Sequence, residues 1–219
     1  MTDAANVGRT LYGYFRSSAA YRVRIALNLK GLAYAQAPVS LLRGEQRGAD
    51  YLALNPQGLV PALLDKGVLL TQSLAICEYL DEAYPDSARL LPDGAVARAQ
   101  VRAVAQAIAC DIHPLNNLRV LNYLKAELGQ GEDARNGWYQ HWVATGFAAL
   151  EQQLAGSAGP YCFGDTPTLA DVCLLPQVFT AQRFAIDMGA YPVLAGIAAN
   201  LEQLPAFAAA HPSRQPDAQ

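Results

Sequence analysis

Two adjacent hydroxyl side chains, Ser17 and Ser18, lie between an apolar segment and an amphipathic segment. The apolar segment, Leu11–Phe15, reads as a strand, and the run Tyr21–Lys30 reads as a helix that ends before Gly31. Both hydroxyls therefore fall at a predicted helix N-terminus, which favours a bound anion. A hydroxyl that donates to a thiolate lowers the pKa of that thiol. The pattern favours activation of a thiol from a bound molecule, and the alternative is that a serine only caps the helix.

The composition is that of a globular chain. It has 219 residues, of which 52% are hydrophobic and 16% are charged. The net charge of -3 and the pI near 5.6 argue against nucleic acid as a partner, because phosphate binding needs a basic surface. The first ten residues lack a signal-peptide pattern, and no run of about 18 apolar residues predicts a membrane span. We therefore expect a cytoplasmic protein with no membrane partner.

The cysteines are widely separated along the chain. They form no C-x-x-C pair and have no histidine at ligand spacing, so the sequence predicts neither a zinc site nor a dithiol site. Dispersed cysteines of this kind most often act as small buried apolar residues. We expect this of all four: Cys77, Cys110, Cys162 and Cys173.

Strand and helix patterns alternate over the first 90 residues in the order βαβαββα, which is typical of a small α/β unit with a mixed sheet. After the first strand and helix, a second strand is predicted over Tyr34–Val39. A hairpin turn is predicted at Asp65–Gly67. The last helix of the unit is predicted over Ser73–Tyr84, and Pro85 ends it.

From Gly94 onward only helical patterns follow. The stretch before it, rich in Pro, Asp and Ser, reads as a linker. We therefore predict an α/β domain over residues 1–87, of which residues 1–9 are a flexible extension, and an all-helical domain over residues 94–219. A capping box over Thr168–Asp171 marks one helix start. The predicted helices are Val96–Leu128, Trp138–Leu154, Thr168–Ile186, Pro192–Leu201 and Pro205–Ala210.

A series of short segments extends along nearly the whole chain: Tyr14–Ser18, Arg22–Leu27, Ala53–Pro56, Gln72–Ile76, Asp111–Pro114, Gly164–Asp165 to Ala170–Asp171, Pro176–Val178 and Gln215–Asp217. In this order they resemble the zeta class of the glutathione transferases, which includes isomerases of maleylacetoacetate and maleylpyruvate. The resemblance implies an N-terminal thioredoxin-like domain that binds glutathione, followed by an all-helical glutathione transferase domain that contributes the substrate site. It also implies a homodimer.

The resemblance assigns roles to individual residues. Ser17 and Ser18 are the catalytic candidates. Val60–Pro61 matches the place of a cis proline, where the Val60 backbone would pair with the cysteinyl backbone of glutathione. The alternatives are an ordinary trans proline, an N-cap role for Ser73 and a structural role for His113. The residues implied in glutathione binding are Ser17, Gln46, Val60, Pro61, Gln72, Ser73 and His113.

Three arginines, Arg16, Arg119 and Arg183, match positions where the class places substrate-binding cations. A guanidinium fork suits the carboxylates of a small dicarboxylate substrate, although an arginine on a helix is more often a surface charge. One departure from the class is Ala19, where many members carry cysteine. A mechanism that needs an enzyme thiol at that position is therefore excluded.

The resulting hypothesis is glutathione-dependent cis–trans isomerisation of a maleyl diketo acid, first of all maleylacetoacetate to fumarylacetoacetate. Maleylpyruvate isomerisation is the close alternative. Conjugation or dehalogenation of small halo-acids would use the same thiolate but would consume glutathione. A non-catalytic scaffold of the same fold is a further alternative.

Overall fold

A computed structural model of the chain describes residues 8–218. Its contacts divide the chain into two compact units. The first comprises the residues up to Leu90 together with those from Leu204 onward, and the second is Leu91–Gln203. The sequence patterns assigned residues 94–219 to one helical domain, so the structure differs from that expectation at the C-terminal end.

The first unit contains a four-stranded mixed sheet with the order β2-β1-β3-β4. β1 is parallel to β2, whereas β3 is antiparallel to both β1 and β4. Residues 1–7 of the predicted flexible extension lie outside the described residues, and Arg9 already belongs to the sheet. The strands are β1 (Arg9–Gly13), β2 (Ala35–Pro38), β3 (Ala62–Asp65) and β4 (Val68–Thr71).

The α-helices of the described residues follow the predicted order along the chain. Those of the first unit up to Leu90 are α1 (Ser18–Leu29), α2 (Ala49–Leu54) and α3 (Ser73–Ala83). The second unit contains α4 (Ala95–Gln106), α5 (His113–Leu115), α6 (Leu118–Ala126), α7 (Glu132–Leu154), α8 (Leu169–Arg183) and α9 (Pro192–Glu202). The last helix, α10 (Pro205–Ala210), belongs to the first unit.

Two glycines, Gly67 in a hairpin turn and Gly31 after a helix, lie where the sequence predicts them. The β3–β4 hairpin turns at Lys66 and Gly67, whose φ angles of 50° and 79° are those of a tight two-residue hairpin turn. α1 ends with Gly31 at φ 64°. Its N–H donates to the Asn28 carbonyl, and the next N–H donates to the Leu27 carbonyl, so two carbonyls of the last turn are satisfied.

The C-terminal segment joins the first unit through side chains of α1. The Nε of Arg24 donates to the Ala210 carbonyl at 3.0 Å, and the Nδ2 of Asn28 donates to the Ala206 carbonyl at 3.0 Å. These bonds satisfy carbonyls at both ends of α10. The sequence does not predict these hydrogen bonds, because no local pattern in α10 indicates which helix it packs against.

The predicted capping box at the start of α8 is confirmed. The Asp171 carboxylate accepts the Thr168 N–H at 2.7 Å and the Cys162 N–H at 2.8 Å. Asp171 is fully buried, and this burial raises its pKa although both N–H groups oppose the shift. The carboxylate therefore has a structural role and lies in the interior of the second unit.

The helix predicted over Val96–Leu128 is wrong as a single element. α4 passes into a π-helical segment, Ala107–Ile112, and α5 and α6 are separated by a break. Pro114 explains the change of pitch, because it has no N–H to donate and its ring displaces the carbonyl one turn earlier. Asn117 explains the break, since its Oδ1 accepts the Arg119 N–H at 3.1 Å and caps α6.

The cysteine prediction is correct for three residues and wrong for one. Cys77, Cys162 and Cys173 are buried, whereas Cys110 is exposed in the π-helical segment. The altered pitch of that segment changes which side chains face outward. In residues 8–218, no group of three or more His, Cys, Asp or Glu side chains is placed to hold a metal ion, and no helix is long and apolar enough to cross a bilayer.

Candidate active site

The sheet topology gathers the candidate residues of the first unit at one end of the sheet. Gly13 pairs with Pro38, so the segments that follow β1 and β2 leave at the same end. Ala62, the first residue of β3, pairs with Tyr12 of β1 and Thr71 of β4. The segments before β3 and after β4 therefore meet at that end as well. The candidates on these four segments are Arg16–Ser18, Gln46, Val60–Pro61 and Gln72–Ser73.

Ser17 is the N-cap of α1. Its Oγ accepts the Ala20 N–H at 3.2 Å. This bond uses one lone pair of the oxygen, and a hydroxyl also has a hydrogen to donate. Capping and thiolate activation are therefore compatible at Ser17. Ser18 is the first residue of the helix and is buried, so Ser17 is the more accessible hydroxyl of the pair.

Phe15, two residues before Ser17, is held through its backbone from two sides. Its N–H donates to Oδ2 of Asp217 at 3.0 Å, and its carbonyl accepts from Nη2 of Arg24 at 2.9 Å. Burial lowers the pKa of Arg24 to about 10, so this side chain is a cation at neutral pH. The Phe15 ring lies under the guanidinium of the exposed Arg16, with 4.8 Å between the ring centroid and Cζ. Phe15 therefore links the C-terminal segment to both Arg16 and Ser17.

The Val60–Pro61 peptide bond is cis, as the resemblance implied. The Leu59 carbonyl just before it accepts two hydrogen bonds of 2.7 Å, from Nδ2 of the buried Asn55 and from the Tyr51 hydroxyl. These bonds fix the course of the loop. Val60 itself packs in a buried apolar cluster with Tyr14, Phe15, Val39 and Tyr51. That cluster joins the cis-proline loop to the segment that leads into Ser17.

The N-terminus of α3 contains Ser73 and a buried cation. The Ser73 Oγ accepts from Nη1 of Arg22 at 3.2 Å. Arg22 is only 1% exposed, and its Nε and Nη2 have no hydrogen-bond partner in residues 8–218. Gln72, not Ser73, occupies the N-cap position, with φ at 68°, and its Nε2 donates to Oε1 of Gln57 at 2.9 Å. The alternative of an N-cap role for Ser73 is therefore wrong.

Gln46 lies in a short 3-10 helix, Glu45–Arg47, after β2. Its Oε1 is buried and has no hydrogen-bond partner within the described part of the chain. An acceptor in this state fits an N–H group of a bound peptide. Gly58 allows the neighbouring loop to approach, because a Cβ at this position, where φ is 61°, would come within 3.0 Å of the Gln46 carbonyl oxygen.

The remaining candidates belong to the second unit. His113 begins α5, and its Nε2 lies 3.4 Å from Nδ2 of Asn117. Arg119 on α6 and Arg183 at the end of α8 are both exposed. Burial raises the pKa of the Tyr139 hydroxyl, and the charge of Arg183 opposes that shift.

Sequence reasoning missed three residues of the first unit: Arg22, Gln57 and Asp217. Arg22 carries a readable signal, since a charged residue on α1 lies in the run Ala20–Leu27, all of which is buried. Gln57 carries none, and Asp217 is recognisable only as part of the Gln215–Asp217 segment, which does not indicate a pairing with Phe15. Their partners are 15 and 202 residues away, and no local pattern encodes those pairings.

Both parts of the chain match models of one family. Residues 8–82 match the model described as "Glutathione S-transferase, N-terminal domain", and residues 132–209 match "Glutathione S-transferase, C-terminal domain". The chain therefore belongs to the glutathione S-transferase family.

Individual relatives confirm the resemblance to the zeta class within that family. A probable maleylacetoacetate isomerase of Vibrio cholerae is 56% identical over 210 residues, which is 95% of this chain and 97% of the relative. The holo structure of a maleylpyruvate isomerase, a bacterial zeta-class protein, has a TM-score of 0.92 at 47% identity and covers 96% of this chain and 100% of its own. A maleylacetoacetate isomerase from Methylobacterium extorquens AM1, with bound malonate and glutathione, has a TM-score of 0.93 at 44% identity and covers 96% and 99%.

Proposed function

We propose that this chain is a glutathione-dependent cis–trans isomerase of maleyl diketo acids, with maleylacetoacetate as its main substrate. The observation that carries the proposal is the state of Ser17. Its oxygen caps α1, and its O–H hydrogen has no identified acceptor among residues 8–218, at the end of the sheet where the cis-proline loop and α3 also lie. This arrangement suits a thiol ligand whose sulfur must be ionised.

The residues at this end fit glutathione. Among the residues at this end, Gln46 has a buried acceptor and Arg22 has buried donors that find no partner in residues 8–218, as expected where a polar ligand completes the site. We assign the cysteinyl backbone to Val60 beside the cis Pro61, and the glutamyl carboxylate to Gln72 and Ser73 at the α3 N-terminus. His113 of the second unit is proposed as a further contact.

Glutathione, when bound, supplies a thiolate that adds reversibly to the alkene, so that the former double bond rotates as a single bond. Ser17 donates its O–H to the sulfur, and the α1 N-terminus adds its partial positive charge. Both effects lower the pKa of the bound thiol, which otherwise lies above neutrality. Ala19 supplies no thiol, so this chain depends on the sulfur of its cofactor.

We assign the substrate carboxylates to Arg16, Arg119 and Arg183. A maleyl diketo acid carries two carboxylates, and guanidinium groups bind such groups with paired hydrogen bonds. The same cations stabilise negative charge that develops on the ketone oxygen beside the reacting carbon. The α/β domain thus holds the cofactor, and the helical domain contributes to the substrate site.

Maleylpyruvate is the second candidate substrate. The similarity to a solved maleylpyruvate isomerase favours it, at 47% identity and a TM-score of 0.92. The two substrates share the maleyl ketone that reacts and differ in the length of the acid arm. The homodimer remains a proposal that rests on the family resemblance, and the cytoplasmic location remains one that rests on the sequence.

The test is an isomerase assay with the purified chain in thiol-free buffer. Each substrate is supplied with and without glutathione, and total free glutathione is measured before and after. We expect turnover only with glutathione, an unchanged amount of glutathione, and a clear preference for one substrate. Turnover without any thiol, or equal slow turnover of both substrates, contradicts the proposal. Stoichiometric loss of glutathione indicates conjugation instead.

A further inference from the structure

Arg22 is a buried cation with one hydrogen bond. Its side chain is among the largest fully buried ones of the described residues, and its Nη1 donates to the Ser73 Oγ. Nε and Nη2 have no partner anywhere in residues 8–218.

The surroundings of Arg22 make its charge more costly. Arg22 takes part in none of the ion pairs identified in the described chain. Ser73 is the first residue of α3, an 11-residue helix, so the guanidinium lies at an end that itself carries partial positive charge. Buried charges in proteins are normally paired. The counter-charge at this place is therefore expected from a ligand.

We propose that Arg22 is a positioning residue that binds the glutamyl carboxylate of glutathione through Ser73. This inference rests on the proposed function and adds a residue to its cofactor site. By donating to the Ser73 Oγ, Arg22 occupies an acceptor position of that hydroxyl and directs the O–H hydrogen towards the ligand. Its positive charge adds to that of the helix N-terminus in attracting the carboxylate.

The test uses two ligands and a set of variants. The ligands are glutathione and its analogue in which the glutamyl α-carboxylate is a neutral carboxamide. Arg22→Met and Arg22→Gln remove the charge, and Gln keeps a hydrogen-bond donor for Ser73. Arg214→Met is the matched control, since it removes one positive charge from an exposed site in the same unit. Affinities are measured by calorimetry and folding by thermal denaturation.

We expect the parent chain to bind glutathione roughly tenfold or more tightly than the carboxamide. Arg22→Met and Arg22→Gln lose roughly tenfold or more in glutathione affinity and keep their affinity for the carboxamide. Their preference for the carboxylate therefore collapses, which a purely structural role would not produce. Arg214→Met keeps the preference of the parent.

Three outcomes overturn the inference. The parent binds both ligands equally, or a folded neutral variant keeps the full preference for glutathione, or both neutral variants fail to fold with and without glutathione, which makes Arg22 a structural residue. In each case a parent that still isomerises with glutathione leaves the proposed function intact. A parent that does not bind glutathione at all refutes the proposed function as well.

Discussion

The carboxylate of Asp217 accepts the N–H of Phe15 at 3.0 Å across 202 residues of chain. The carbonyl of the same residue accepts from Arg24, so Phe15 is held on both sides by charged groups. Two residues later Ser17 caps α1. The C-terminal segment therefore helps to set the position of the hydroxyl to which we assign the thiolate.

Asp217→Ala is expected to lower kcat several-fold with little change in the KM for glutathione. It leaves the Phe15 N–H without its partner, at a cost of about 1 kcal/mol in unfolding free energy. Asp217→Asn keeps an acceptor oxygen and is expected to restore much of the activity. Asp86→Ala, at an exposed site of the same unit, is the control. A lowered melting temperature with unchanged kcat would show that the bond serves stability only.

Ser17→Ala is expected to reduce kcat/KM by roughly ten- to a hundredfold, because it removes a hydrogen bond to a charged sulfur. The rate should then rise to its plateau at higher pH, since the bound thiol ionises less readily. The variant also loses its helix cap, at a cost of about 1 kcal/mol. Activity is followed as a function of pH, and stability by urea unfolding.

Two further substitutions at this position separate the two roles. Ser17→Asp keeps a capping oxygen but has no hydrogen to donate and repels a thiolate, so it should be stable and inactive. Ser17→Thr keeps both roles and should retain activity. Full activity in Ser17→Asp would exclude the hydroxyl as the activating group.

Arg183→Ala and Arg16→Ala are expected to raise the KM for the diketo acid by roughly tenfold each, because each removes a charge-assisted contact to a carboxylate. Their affinity for glutathione should change little. Substrate KM and glutathione Kd are measured separately for each variant. Arg214→Ala, another exposed arginine, is the control. Collapse of glutathione binding with intact substrate KM would reverse our assignment of roles.

Gly146→Ala is expected to destabilise the chain by roughly 1 to 3 kcal/mol, because a Cβ there would collide with Cδ1 and Cγ1 of Ile112. Gly137, on the same helix α7, has open space around it, so Gly137→Ala should stabilise by up to about 1 kcal/mol. Unfolding in urea measures both. Adding Ile112→Ala to Gly146→Ala should recover part of the loss. Equal effects of the two glycine substitutions would contradict the packing.

Local patterns predicted most of the elements. The order of elements βαβαββα, the turn at Lys66–Gly67, the end of α1 at Gly31 and the cap of α8 all depend on residues that are close in sequence. The π-helical segment was missed although Pro114 and Asn117 were visible signals. The apolar spacing over Val96–Leu128 favoured a single helix in spite of these two residues.

The candidate site was predicted unevenly for the same reason. The Val60–Pro61 segment and Ser17 can be recognised from the sequence, because each lies within a short continuous motif. The partners that hold them, such as Asp217 for Phe15 and Gln57 for Gln72, come from distant parts of the chain. Composition and periodicity do not predict hydrogen bonds between residues that are distant in sequence. These supporting bonds are therefore known only from the structure.

Residues 204–218 complete the first unit, and in the order of synthesis Leu91–Gln203 comes between them and the other residues of that unit. A ribosome therefore finishes the helical unit before it supplies α10. Until those residues have been made, the Nε of Arg24 and the N–H of Phe15 lack the partners that Ala210 and Asp217 provide. The growing polypeptide thus carries an incomplete thioredoxin-like unit until residues 204–218 have been added.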